Sequence, residues 1–236
     1  MIKYNVFHNW SGGKDSAMAL YKMIMSKRYH VSMLVTTLGD VSKRVTMHGI
    51  SEAMLDLQAE SLGIPLRKVF ISESADILQY NKTMQETFSY FKSRNIFISS
   101  YGDIFLEDIR RYREEELHKS GLKAYFPLWN ISTSQLAEEF ISRGFKAVVV
   151  CTDSAMLDKS FCGREYNKDF IADLPASVDP CGENGEFHTF VYDGPVFKRA
   201  VRFHKGDVVL KNYTDTNGNY SNSFYFMEIT PYYLSS

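Results

Sequence analysis

Cysteine is scarce. The chain has three, Cys151, Cys162 and Cys181, and none forms a Cys-x-x-Cys pair. An odd number of thiols with no secretion signal points to reduced cysteines and a cytoplasmic protein. The N-terminus lacks a signal-peptide pattern, because Asn5, His8 and Asn9 interrupt it. No apolar run approaches the length of a membrane helix, so no membrane partner is expected. An excess of either charge is also missing. With 27 basic and 28 acidic residues the net charge is −1, which leaves no general basic footprint for nucleic acid. Internal repeats, low-complexity tracts and an obvious flexible linker are absent, as is the four-residue spacing of a Walker-type loop.

What is present suffices for a globular protein. Hydrophobic residues make up 44% of the chain, ample for a core. A length of 236 residues exceeds one typical domain and falls short of two, which suggests one α/β domain with a smaller appendage. The first half alternates strand-like runs (Tyr4 to Trp10, Val31 to Thr37, Leu66 to Ile71, Ile96 to Ser100) with helical patterns. One helix follows Ser16, with Ala17, Leu20, Tyr21 and Ile24 on one face. Ile50 to Leu62 is a second, ended by Gly63 and Pro65. Ile77, Tyr80, Met84, Phe88 and Phe91 form an aromatic stripe read as core. Leu106 to Ser120 is a charged helix whose Arg110, Arg111, Arg113 and Glu114 to Glu116 read as a solvated face, with an arginine turned toward phosphate as the lesser alternative. This alternation predicts a parallel sheet with ligands at the carboxyl ends of its strands.

Ser132 and Gln135 resemble a capping box opening a helix to Arg143. Phe145 to Thr152 is the strongest strand, continuous enough to be buried on both faces. After Pro175 the pattern changes. Phe187 to Tyr192, Lys198 to His204, Asp207 to Tyr213 and Ser223 to Ile229 predict a small antiparallel sheet, with Gly206 and Asn217-Gly218 as turns.

Two stretches carry chemistry. Ser11-Gly12-Gly13-Lys14-Asp15-Ser16 joins the first strand to the first helix. Such a turn offers backbone N–H groups and a helix N-terminus to an anion, with Lys14 as cation and Ser11 and Ser16 as hydroxyl donors. Gly12 and Gly13 let the chain bend where a side chain would block a phosphate. Asp15 alternatively caps the helix. The second stretch contains Cys181, Gly182, Glu183, Asn184, Gly185, Glu186, His188 and Thr189. Two carboxylates, an imidazole, an amide and a thiol in eight positions suit a binding loop, although a solvated surface loop has the same composition. Asp103, after Gly102, follows the fourth strand on the same side as the Ser11 loop. His48 lies in a loop before a helix, with a structural role as its alternative.

The hexapeptide resembles the PP-loop, Ser-Gly-Gly-x-Asp-Ser, of the ATP pyrophosphatases. Together with Gly102-Asp103-Ile104 and Gly182 to Thr189 it resembles the diphthine–ammonia ligase family of that superfamily. Met47-His48-Gly49, Pro127-Leu128-Trp129 and Asp193-Gly194-Pro195 add to the likeness, which is closest to compact members often found in bacteria. Bacteria do not make diphthamide, so for a bacterial chain the resemblance implies a different acceptor.

The resemblance implies a HUP-type (adenine nucleotide alpha hydrolase) parallel-sheet domain over residues 1–125 and a smaller α+β substrate domain over 126–236. It implies ATP and Mg²⁺ as cofactors, and a ligase that adenylates a substrate carboxylate, releases pyrophosphate and forms an amide with ammonia. Ser11 to Ser16, His48 and Gly102 would contact nucleotide, and Asp15 and Asp103 would hold the metal. Lys14, Asp15, Asp103, Glu183 and Glu186 would carry the chemistry, and the loop from Cys181 to Thr189 would meet the substrate. Cys181 as a nucleophile lacks an identifiable activating partner. A homodimer is compatible with this picture. Two competing readings are a tRNA- or small-molecule-modifying PP-loop enzyme, which would want a cysteine pair or a basic face, and an ATP or AMP sensor, which would not need the acidic loop.

Overall fold

The computed structural model describes residues 3–46, 48–214 and 221–232. Five strands form a parallel sheet in the order β3-β2-β1-β4-β5: β1 (Tyr4–Asn9), β2 (Tyr29–Gly39), β3 (Leu66–Ile71), β4 (Ile98–Ser100) and β5 (Lys123–Tyr125). The order reverses between β1 and β4, which opens a crevice at their carboxyl ends. The three-residue β5 has too little pattern to be seen in the sequence and exists through its pairing with β4.

Helices cover both faces. On one side lie α1 (Lys14–Ser26) and α2 (Glu52–Leu62), and on the other α3 (Ile77–Lys92) and α4 (Glu107–Lys119). Helix α1 buries Ala17, Leu20 and Tyr21 as its periodicity predicts, whereas Ile24 is half-exposed. Gly63 ends α2 in a left-handed conformation. Asp76 caps α3 by accepting from the Gln79 N–H at 2.8 Å. In the α3 stripe, Phe91 stacks on Phe7 with ring centroids 4.0 Å apart, but Ile77 is exposed.

The second sheet is antiparallel, in the order β7-β6-β9-β8, from β6 (Lys146–Asp153), β7 (Phe187–Asp193), β8 (Phe203–Thr214) and β9 (Ser221–Pro231). Helices α5 (Thr133–Ser142) and α6 (Lys168–Asp173) accompany it. Strand β6 is buried from Ala147 to Thr152, as its apolar run predicts. Two expectations need correction. Ser132 precedes α5 but its side chain caps nothing, so the capping box does not form. Of the run expected as Lys198 to His204 only Phe203 and His204 are strand, and they continue into the run expected as Asp207 to Tyr213 as one strand, with Gly206 at a register shift between Lys205 and Val208 rather than in a turn. The Asn217-Gly218 turn lies outside the described residues.

One core joins the two sheets: Leu20, Met23 and Leu55 from the first half share it with Phe140, Val148 and Phe190 from the second. The antiparallel sheet therefore packs on the α1/α2 side, which brings the start of β7 to the crevice. No helix of the described residues is long and apolar enough to cross a membrane.

Candidate active site

Residues 11–16 turn tightly between β1 and α1. Gly12 has a φ of +81°, and a Cβ there would stand 2.9 Å from the Gln58 amide oxygen. The Gly13 C=O accepts from the Ala17 N–H (3.1 Å) and the Ser16 hydroxyl (2.9 Å), which starts α1. Ser11 Oγ lies 3.2 Å from Ser16 Oγ. Buried Gln58 holds the loop from behind. Its amide donates to the C=O groups of Gly12 (3.0 Å) and Val191 (2.6 Å), and its oxygen accepts from the Trp10 indole (2.9 Å). An amide on the apolar face of α2 was the available sequence signal for this role.

Buried His8 fastens the other side. Its Nε2 lies 2.9 Å from the Ser16 C=O, which can only accept, so Nε2 carries the proton and Nδ1 accepts from the Ser100 hydroxyl (2.8 Å). Burial pulls this imidazole down to about 4. Gly102 lies against the same turn, where a Cβ would be 2.9 Å from the Asp15 carbonyl carbon and the Ser16 nitrogen.

The 179–189 loop closes over these residues through β7. Thr189 Oγ1 accepts from the Lys14 N–H (3.0 Å), and the Val191 N–H donates to the Gly12 C=O (2.9 Å). The buried Lys14 ammonium donates to both Asp15 oxygens (2.9 and 2.8 Å) and to the Cys181 C=O, and sits 5.5 Å from the Phe187 ring centroid. Burial opposes its charge, but Asp15 outweighs that and keeps the amine protonated.

A cavity of about 350 Å³ opens above the loop. Ser11, Gly13 to Ser16, His48, Gly102, Asp103, Gly182, Glu183, Gly185, His188 and Thr189 line it. Its walls also include an apolar arm formed by Val35, Met84, Phe88 and Tyr101. Part of the aromatic stripe read as core thus also faces the cavity. Glu183 accepts from the Ile104 N–H at 2.8 Å. Burial pushes its carboxyl up to about 7, and the charge of Asp15 adds to the rise. The rings of His48 and His188 lie 4.3 Å apart, and His48 Nδ1 and His188 Nε2 are buried without hydrogen-bond partners. Burial lowers both, His188 to about 4, so the pair is neutral at pH 7.

Three residues of the loop face away from the cavity lining. Glu186 accepts from the Asp179 N–H and from the Asn184 N–H and side-chain amide, each at 3.0 Å. Burial would raise its carboxyl, but these bonds hold it below the usual range. Asn184 is engaged in the same knot. The Cys181 thiol is buried, donates toward the Thr133 C=O (3.3 Å) and is pushed up to about 12 by burial, which removes thiolate character near neutral pH.

Arg113 belongs to the cavity wall, which departs from the solvated face expected for the charged helix and matches the lesser alternative of an inward-turned arginine. Its Nη2 donates to Asp103 Oδ1 at 3.2 Å and its Nε stands 2.8 Å from Oδ2. Arg110 and Arg111 instead pair along α4 with Glu114 and Asp108.

Two family models match the chain, diphthamide synthase N-terminal domain over residues 4–124 and diphthamide synthase C-terminal domain over residues 132–222. A diphthine–ammonia ligase from Homo sapiens is 26% identical over 223 residues, covering 85% of this chain and 83% of that protein. The one from Danio rerio is 25% identical over 224 residues, covering 85% and 86%. The one from Schizosaccharomyces pombe is 24% identical over 217 residues, covering 84% of this chain and 36% of the yeast protein. Among solved structures, the U34-tRNA thiolase NcsA from Methanococcus maripaludis is similar at a TM-score of 0.37 and 16% identity, over 58% of this chain and 57% of that one. The chain belongs to the diphthamide synthase family and is an enzyme of its ATP-dependent, amide-forming ligase type.

Proposed function

We propose that the enzyme activates the carboxylate of diphthine, or of an acceptor like it, by adenylation. Acceptor carboxylate attacks the α-phosphate of ATP, pyrophosphate leaves, and ammonia then displaces AMP from the acyl-adenylate to leave an amide. A carboxylate by itself is a poor acyl donor, because its leaving group would be oxide.

The observation that carries this reading is the contact between two stretches 175 residues apart, the Lys14 N–H on Thr189 Oγ1, around one cavity. Pyrophosphate gains charge as it leaves, and fixed donors of the Ser11 to Ser16 turn would offset it. Their preorganisation rests on Gln58 and His8. The apolar arm suits adenine. Glu183, raised to about 7, suits removal of a proton from ammonium or from the attacking amine. The glycines on either side, Gly182 and Gly185, have positive φ and present the loop backbone to the acceptor.

Mg²⁺ would neutralise part of the phosphate charge. Among the described residues no group of three or more ligands is arranged for a metal. Mg²⁺ bound through phosphates, waters and one or two carboxylates needs no such group, and Asp15 and Asp103 on the cavity wall fit that demand. We further infer two units dividing near residue 125, the first binding nucleotide and the second the acceptor. A cytoplasmic site of action is supported by the free thiols.

The test is product analysis with ATP, Mg²⁺, ammonium and a diphthine-bearing peptide or a small-metabolite extract. Acceptor-dependent AMP and pyrophosphate are expected. ADP and phosphate instead would overturn the reading.

A further inference from the structure

The lysines and arginines of the cavity wall are Lys14 and Arg113 alone among the described residues, against the carboxylates Asp15, Asp103, Glu116 and Glu183. Lys14 is held by Asp15 and the Cys181 carbonyl. Arg113 is held less completely. Its Nε is 2.8 Å from Asp103 Oδ2, yet neither atom makes a properly directed hydrogen bond, although both are buried. The single directed contact is Nη2 to Asp103 Oδ1, at 3.2 Å. A guanidinium has five donors in a planar fork suited to oxyanions.

Its position defines which oxyanion it can meet. The guanidinium lies over the Tyr101 ring, 4.3 Å from the centroid, and Tyr101 walls the apolar arm. The next residue, Gly102, packs against the backbone of Asp15 and Ser16 in the phosphate turn. Three consecutive residues, Tyr101 to Asp103, therefore bridge the apolar arm and the phosphate turn, and Arg113 is fixed to two of them. In a nucleotide laid from arm to turn, ribose and the α-phosphate lie between base and terminal phosphates, and of these two only the α-phosphate is an oxyanion.

We propose that Arg113, paired here with Asp103, is the α-phosphate-binding residue of this site and exchanges that carboxylate for the nucleotide on binding. This rests on the ATP-dependent reading above and adds a contact to it. The transfer breaks and forms ionic hydrogen bonds only. Asp103, once released, faces the cavity as a free carboxylate.

Binding alone tests this, without an acceptor. Titration calorimetry with AMP, adenosine and pyrophosphate is run in EDTA on the full-length protein. The wild type is expected to bind AMP more tightly than adenosine. Arg113→Gln should weaken AMP at least tenfold and leave adenosine and pyrophosphate within twofold, and Arg113→Lys should recover part of the loss. Asp103→Asn, which removes the competing carboxylate, should tighten AMP. The proposal is overturned if AMP affinity survives Arg113→Gln, if adenosine weakens in parallel, if Asp103→Asn weakens AMP, or if the wild type prefers adenosine. Loss of pyrophosphate instead of AMP would assign Arg113 to the leaving group and likewise overturn it. Failure of the ligase reading appears separately, as missing AMP release under turnover conditions with this binding pattern intact.

Discussion

The hydroxyl of Thr189 accepts a hydrogen bond from the backbone N–H of Lys14, 3.0 Å away, and both residues are buried. That N–H belongs to the first turn of α1, where no intrahelical acceptor exists. One loop thus serves as cap to the other, and neither half of the site is complete alone. Thr189→Val keeps the shape and removes the acceptor. It is expected to cost about 1–3 kcal/mol through the orphaned donor, with Thr189→Ser close to wild type. Urea denaturation measures both, and equal midpoints for Thr189→Val and wild type would show the bond to be dispensable.

Gly102 admits no side chain. A methyl group would stand 2.9 Å from backbone atoms of Asp15 and Ser16, which cannot swing aside as a flexible side chain would. Gly102→Ala should therefore push β4 and the turn apart, at a cost of about 1–3 kcal/mol, and weaken ATP binding several-fold. Unchanged ATP affinity and stability would contradict the close packing.

Glu183 titrates near neutrality, raised to about 7 by burial and by Asp15. In the proposed role of base it would act when ionised, so turnover at saturating ATP and a fixed concentration of free ammonia should rise with pH through about 7 and then level. Glu183→Gln should lower turnover by roughly 10²–10⁴-fold and flatten that step. A residual rate with the same pH dependence would assign the step to another group.

Acid should unfold the protein early. His8 is buried and His188 half-buried as neutral imidazoles, each pulled by desolvation from 6.5 to about 4. Between those values the unfolded chain binds the protons and the native state does not, so stability rises with pH across the window and is fully present above about 6.5. Each contributes a loss on the order of 2 kcal/mol by pH 5. Denaturation midpoints from pH 7.5 to 4.5 follow this, and His8→Asn should reduce the slope. A midpoint flat over that range would refute the assignment.

The sequence by itself determined the alternating first half, the glycine-rich turn and the polar loop, because periodicity, glycine placement and residue chemistry are local properties. It also carried the family resemblance, which the matches over residues 4–124 and 132–222 bear out. Only the tertiary structure decided what the side chains do. Glu183 and Glu186 look alike in sequence, yet one lines the cavity and the other ties its own loop, because three residues of extra chain turn them to different neighbours. Gln58 and His8 read as ordinary positions until the fold buries them against the turn they hold. Arg113 sits in a run of charges indistinguishable from a solvated face. Its direction is set by Tyr101 and Asp103, which come from the end of another strand. Such partnerships join residues distant in the chain, and their geometry follows from how two sheets share one core.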